Sequence, residues 1–229
     1  MLIESRSSMR EVLSRQPLFR GLATDELDLL AQGSREVRAQ KNEILFQKGD
    51  EPEGMHVLVM GQVKLSLPSP QGAEKVVHVF ESGSTFGEAV VFLDKTYPVS
   101  AQATQDSLMV LVSKHTLLDT LSTSPMLCRK MLASLSIRLH ELIEDMETCT
   151  LRTSTQRVAC FLLNLSPSAQ EGRYEVLLPA SKQTIASQLN LAPETFSRVL
   201  GNLAGAGLIS VRGRTITVLD QAKLRDSMA

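Results

Sequence analysis

Seven side chains set the frame for this sequence. Cys128, Leu132, Leu135, Leu139, Leu142, Met146 and Cys149 follow one another at spacings of 4, 3, 4, 3, 4 and 3 residues. An α-helix turns once in about 3.6 residues, so this spacing holds an apolar seam on one helical face through three repeats. Such a seam has two ways out of water: docking on its own domain, or pairing with the same helix of a second copy. The regular spacing favours the pair, with Leu132, Leu135, Leu139, Leu142 and Met146 as the dimerisation residues. A paired helix also gives the molecule a two-fold axis. Met131 and Ile143 fall off the seam and are expected to pack against the domain before it. A helix over residues 125–153 therefore divides the chain into a domain at 1–124 and another at 154–229.

The two sides differ in period. From about residue 37 to 112, short alternating runs are broken by turn residues: "EILFQKGDEPEGMHVLVMGQVKLSL", then "PSPQGAEK", "VVHVFESGSTFGEAVVF" and "VSAQATQDSLMVLVS". Short strands with glycine corners and no helical period predict an antiparallel barrel or jelly roll after an N-terminal helix. Gly49, Gly61, Gly72 and Gly87 are the candidate corners.

After the long helix, "TQRVACFLLNL" predicts an apolar helix, followed by "SKQTIASQLNLA" and "PETFSRVLGNLAGAGLI". Ser181 is a candidate N-cap, Ile185, Ala186 and Leu189 form a short apolar stripe, and Asn190 suits a tight left-handed turn. Pro193 fits a first helical position, and Gly205 or Gly207 an end. Val199, Leu200 and Leu203 form the expected buried side. Glu194, Ser197 and Arg198 share the opposite face. A solvated face is the plain reading of three such residues. Two short helices joined by a turn give another, a helix-turn-helix whose second helix enters the DNA major groove. Arg198 could then donate to guanine O6 and N7, and Glu194 accept from cytosine N4, with Thr195 and Gln183 beside them. Downstream, "LISVRGRTITVLD" predicts a hairpin with Arg212 and Arg214 at its tip, suited to phosphates.

At 229 residues, with 43% hydrophobic and 21% charged residues, the chain has the balance of a globular protein with one to two domains. A net charge of −1 is unlike that of many nucleic-acid binders. Phosphate contact needs only a local patch, and from Arg198 to Arg214 the chain carries three arginines and no acid. No apolar run approaches the roughly 20 residues of a membrane-spanning helix, and the N-terminus lacks a signal-peptide core, which reads as a cytoplasmic protein with no membrane partner. Cys128, Cys149 and Cys160 form no CxxC pair and read as buried structural thiols.

Strand-rich domain, long seam helix and winged helix in this order resemble the Crp/Fnr family of transcription regulators. The matching stretches are "LFQKGDEPEGMHVLVMGQVKL", "FGEAVVFLDKTYPVSAQA", the heptad helix and "QTIASQLNLAPETFSRVLGNLAGAGLI". The resemblance implies an α+β protein with a cyclic-nucleotide-binding-type β-roll, a dimerisation helix and a C-terminal winged helix-turn-helix. It implies double-stranded DNA and a second copy as partners, with RNA polymerase expected besides. "ETFSR" is similar to the Fnr-type reading head, which implies that Glu194, Ser197 and Arg198 contact a TTGAT-type half-site.

The effector pocket implied by the resemblance includes Gly87, Glu88, Pro98 and Val99. Cyclic-AMP-binding members carry an Arg-Ser pair where this chain has Pro98 and Val99. No cation is then expected beside a cyclic phosphate, a buried unpaired phosphate is costly, and cyclic AMP is not expected as the effector. Glu88 is instead expected to cap a loop or strand end. Residues 1–40 hold no cysteine, so the iron–sulfur cluster of the oxygen-sensing Fnr branch is not expected either. The chain is most similar to the Dnr/Nnr group, whose resemblance implies control of denitrification by nitric oxide, with haem as sensing cofactor. His56, His78, His115 and His140 are the candidate axial ligands, none in a haem motif; His56 and His78 also read as partly buried or surface strand residues, and His140 as solvent-facing.

Two other classes are weighed against this. A cupin-type metal enzyme would need clustered histidines and a carboxylate on facing strands, and the sequence has no HxH pair. A cyclic-nucleotide receptor acting on a protein would leave the winged helix without a use. A Crp-like regulator with another small-molecule effector is the nearer alternative.

Overall fold

In the computed structural model, residues 6–68, 74–165 and 173–226 are described. They form two compact units, Met1–Arg138 and Leu139–Ala229.

The first unit begins with α1 (Arg6–Arg15) and α2 (Thr24–Gln32). There follow β1 (Ser34–Ala39), β2 (Ile44–Phe46), β3 (Gly54–Met60), β4 (Gln62–Pro68), β5 (Glu74–Glu81), β6 (Thr85–Phe86), α3 (Glu88–Leu93), β7 (Ser100–Ala103) and β8 (Ser107–Ser113). α4 (Lys114–Thr123) and the start of α5 (Pro125–Leu151) close it. The strands make two antiparallel sheets, ordered β1-β8-β3-β6 and β2-β7-β4-β5. This is the expected roll.

Strand β3 shows why the roll holds together. Successive side chains of a strand point to opposite faces. Leu58 enters the roll's interior with Phe46, Val63, Phe80, Phe86, Tyr97 and Met109, while Met55 and Val57 face Leu13, Phe19, Leu30, Leu117, Leu127 and Met131 from the helices. Buried on both sides, β3 reads as a near-continuous apolar run and not as an alternation. Gly61 turns the chain from β3 into β4 at φ 98°, and a Cβ there would lie 2.6 Å from the Asp106 carbonyl oxygen. Gly49 and Gly87 also have positive φ, and Gly72 lies outside the described residues.

Three local expectations need correction. The first strand starts at Ser34, ahead of residue 37. "EAVVFL" is the helix α3 rather than a strand, because its buried residues are Glu88, Val90 and Val91, and these turn with a helix instead of alternating. Ile143 is not buried as Met131 is. It stands twelve residues beyond the buried Met131, about a third of a turn around the helix, and is 56% exposed.

The second unit holds α6 (Ser154–Asn164), β9 (Tyr174–Leu177), α7 (Lys182–Gln188), α8 (Pro193–Gly205), β10 (Ile209–Arg212), β11 (Thr215–Val218) and α9 (Gln221–Asp226). A reciprocal cap starts α6: the Thr153 hydroxyl accepts from the Gln156 N–H, and the Gln156 side chain accepts from the Thr153 N–H. Val158, Leu162, Tyr174, Ile185, Phe196, Leu200, Leu203, Ile216 and Leu224 share one core. The expected hairpin is part of a three-stranded sheet, ordered β10-β11-β9.

Candidate functional site

Ser181 caps α7, its hydroxyl accepting from the Thr184 N–H at 3.1 Å, and the helix buries Ile185 and Ala186. Asn190 then takes φ 57°, a left-handed value that reverses the chain. The guanidinium of Arg157, on α6, donates to the carbonyls of Leu189 at 3.4 Å and Asn190 at 3.3 Å and holds the turn. Pro193 supplies the first residue of α8.

On α8 the inward face is Phe196, Val199, Leu200 and Leu203. Glu194, Ser197 and Arg198 are exposed on the other side, and Thr195 is half-buried between the two. Gln183 is exposed on α7. The outward row presents a carboxylate, a hydroxyl and a guanidinium: an acceptor, a group that both donates and accepts, and a forked donor. These suit the edges of base pairs.

Arg212 and Arg214 flank Gly213, which turns from β10 to β11 at φ 62°. Their roles divide. Arg212 is exposed, while one nitrogen of Arg214 donates to the Leu178 carbonyl at 2.6 Å and fastens the wing to the chain beyond β9. Arg214 is therefore a structural tie as well as a surface cation.

On α5, Leu132, Leu139 and Leu142 are more than half exposed, at 65%, 61% and 51%, and Leu135 is half-buried. The side chains of Met146 and Cys149 lie outside the described residues. Cys128 and Cys160 are half-buried, not buried, each with its sulfur against a polar neighbour: the Leu121 carbonyl and the Arg152 guanidinium.

Around the expected effector pocket, Gly87 takes φ 89° and opens α3. Glu88 does not cap a loop. Its side chain is 3% exposed and pairs with Arg138 of α5, which also donates to the Thr85 carbonyl and lies 5.0 Å over the Phe80 ring. A cation therefore stands in this region, and Glu88 already neutralises it. The other carboxylate oxygen of Glu88 is buried without a hydrogen-bond partner, as is Nδ1 of His56. The imidazole of His56 stacks on Phe86 at 4.9 Å, and Phe46 stacks on Tyr97 at 3.6 Å. Burial, and secondarily the Arg35 charge, lowers His56 from 6.5 to about 4, against an opposing pull from Glu53. Burial with Glu53, Asp50 and Glu88 pushes the Tyr97 phenol up to about 12. Pro98 is exposed and Val99 half-buried.

Arg138, Arg157 and Tyr97 were not read from the sequence as parts of a site. A signal for Arg138 was present: it lies seven residues after Met131, on the row of α5 that faces the roll.

Residues 36–124 match the cyclic nucleotide-binding domain, and residues 156–227 match the Crp-like helix-turn-helix domain, together more than half of the chain. The structure of DNR from Pseudomonas aeruginosa is 33% identical, with 96% of this chain and 97% of that one covered and a TM-score of 0.50. The chain belongs to the Crp/Fnr family. The fumarate and nitrate reduction regulatory protein of Vibrio cholerae is 28% identical over 88% of this chain and 81% of that protein. FixK2 from Bradyrhizobium japonicum shares the fold, with a TM-score of 0.72 at 23% identity, over 86% of this chain and 98% of that one. This Crp/Fnr protein is a DNA-binding transcription regulator with a roll of the cyclic-nucleotide-binding type, and not an enzyme. Among the described residues no helix is long and apolar enough to cross a membrane.

Proposed function

We propose that the protein binds palindromic TTGAT-type half-sites as a homodimer paired through α5, recruits RNA polymerase, and controls denitrification or anaerobic respiration genes. One observation carries the reading. Glu194, Ser197 and Arg198 form an exposed row on a helix whose other face is locked into the core. Binding of a TTGAT-N4-ATCAA duplex tests it. The protein should shift this duplex at concentrations that leave a duplex with exchanged half-sites free, and equal binding to both would refute it.

Nitric oxide, sensed through haem, is the proposed signal. The histidines differ in how they fit such a cofactor. His56 is 7% exposed and its Nδ1 is buried, so that nitrogen offers no open side to a porphyrin. His115 is exposed and bound to Asp119, and His140 is exposed. His78 is half-buried on β5, with its ring 4.5 Å from that of Phe80, and of the four it is the residue that would best hold the iron. Bound haem would supply an iron that takes a diatomic ligand; Phe80 would wall one side, and His78 would hold the metal. Cyclic AMP fits less well, since Arg138 is engaged by Glu88 and Pro98 brings no charge. Absorption spectra of the haem-reconstituted protein with and without nitric oxide test the proposal. A Soret band that His78→Ala abolishes supports it, and a chain that takes up no haem under reducing conditions refutes it.

A further inference from the structure

Gly201 stands in the middle of α8, where the helix would be better served by almost any other residue. Its backbone is not among the positive-φ glycines, so the helix does not require a glycine for its conformation. A Cβ built on it meets nothing within 4 Å, so the packing of the chain does not require one either. Gly61 shows the opposite case, where an added Cβ would strike backbone. At Gly201 the helix thus leaves bare a position where a side chain would stand clear of the rest of the chain.

Gly201 comes four residues after Ser197 and three after Arg198, so it continues the exposed row by one turn toward the C-terminus. When the first turns of such a helix reach base edges in the major groove, the next turn on that face lies against the sugar-phosphate wall. We infer that Gly201 is a DNA-positioning residue, whose bare backbone lets the duplex close on α8 and sets how deeply the helix seats. The inference rests on α8 being the base-reading helix.

The test compares Gly201→Ala and Gly201→Leu with the unaltered full-length protein on the TTGAT-N4-ATCAA duplex. Both substitutions favour the helix, so Tm should rise by about 2–4 °C. Affinity for the specific duplex should fall with side-chain size, about fivefold for Ala and tenfold or more for Leu. Binding to an unrelated duplex should change less. Wild-type affinity in Gly201→Leu overturns the inference, as does a lowered Tm in both variants, which would mean that the fold needs this glycine. Arg198→Ala, assayed alongside, separates the two levels. If Arg198→Ala relaxes base preference and Gly201→Leu binds normally, only the role of Gly201 fails. If Arg198→Ala keeps every base preference, the base-reading assignment of α8 fails.

Discussion

The Arg138 guanidinium, on the long helix α5, is ion-paired with the Glu88 carboxylate at the start of α3. One residue later on α5 comes Leu139, which faces outward on the apolar seam. The helix that is expected to join two copies is thus fastened, at the level of its seam, to a residue of the expected effector pocket. A rearrangement around Glu88 would be felt at once by α5.

Removing one member of this pair should cost more than removing both. Arg138→Ala leaves the carboxylate of Glu88 buried and unpaired, a loss of about 3 kcal/mol. Arg138 is a quarter exposed, so water offsets part of that. Arg138→Leu combined with Glu88→Leu should be the more stable of the two variants, because no buried charge is left over. Urea unfolding of both checks the order, and an Arg138→Ala protein as stable as the unaltered one would contradict the pair's role.

His56 makes the first unit acid-sensitive in a defined window. Its folded value, about 4, lies below the ordinary 6.5, so the unfolded chain binds a proton that the folded chain refuses. Stability is therefore unaffected above about pH 6.5, declines as pH falls, and levels off below about pH 4. The whole decline is on the order of 3 kcal/mol. His56→Phe keeps a ring against Phe86 and removes the titration. The variant's Tm advantage should be larger at pH 5 than at pH 7.5, and a pH-independent difference would show that His56 does not titrate in this way.

The seam on α5 gives a test of association. Leu139→Asp with Leu142→Asp places two carboxylates on the exposed apolar face, at several kcal/mol each if they stay ionised in a dry interface. Sedimentation should show monomers. Both side chains are exposed in the single chain, so the first unit's own melting should move little.

Much of this architecture could be read in the residues, for physical reasons that differ from place to place. Ser181, Asn190 and Pro193 each act on the backbone next to them, so their chemistry fixes cap, turn and helix start without help from the rest of the fold. Val199, Leu200 and Leu203 follow from helical period alone. Phe196 joins them because the same period extends back one turn. Helix α3 was misread because its six residues are too few to separate a helical from an alternating pattern. The Arg138–Glu88 pair was missed for another reason. Its partners lie fifty residues apart, and only the packing of α5 on the roll brings them together.

The wing arginines should separate by what they hold. Arg212→Ala should weaken binding to all duplexes alike and lower the salt slope by about one unit. Arg214→Ala should do so less, and should also lower Tm, since the Leu178 carbonyl loses its donor at a cost of about 1 kcal/mol. Equal Tm for both variants would mean that the bond to Leu178 adds nothing.

The reading of bases by α8 is tested most directly by competition gel shifts over every single-base variant of the TTGAT half-site, at fixed salt, for the unaltered protein, Arg198→Ala and Glu194→Ala. Arg198→Ala should lose about 1–3 kcal/mol on the specific duplex and lose its preference at one guanine pair, with little change on unrelated DNA. Glu194→Ala should relax a neighbouring cytosine and still bind. Equal loss of specific and unrelated binding in Arg198→Ala would make Arg198 a phosphate clamp and contradict the account.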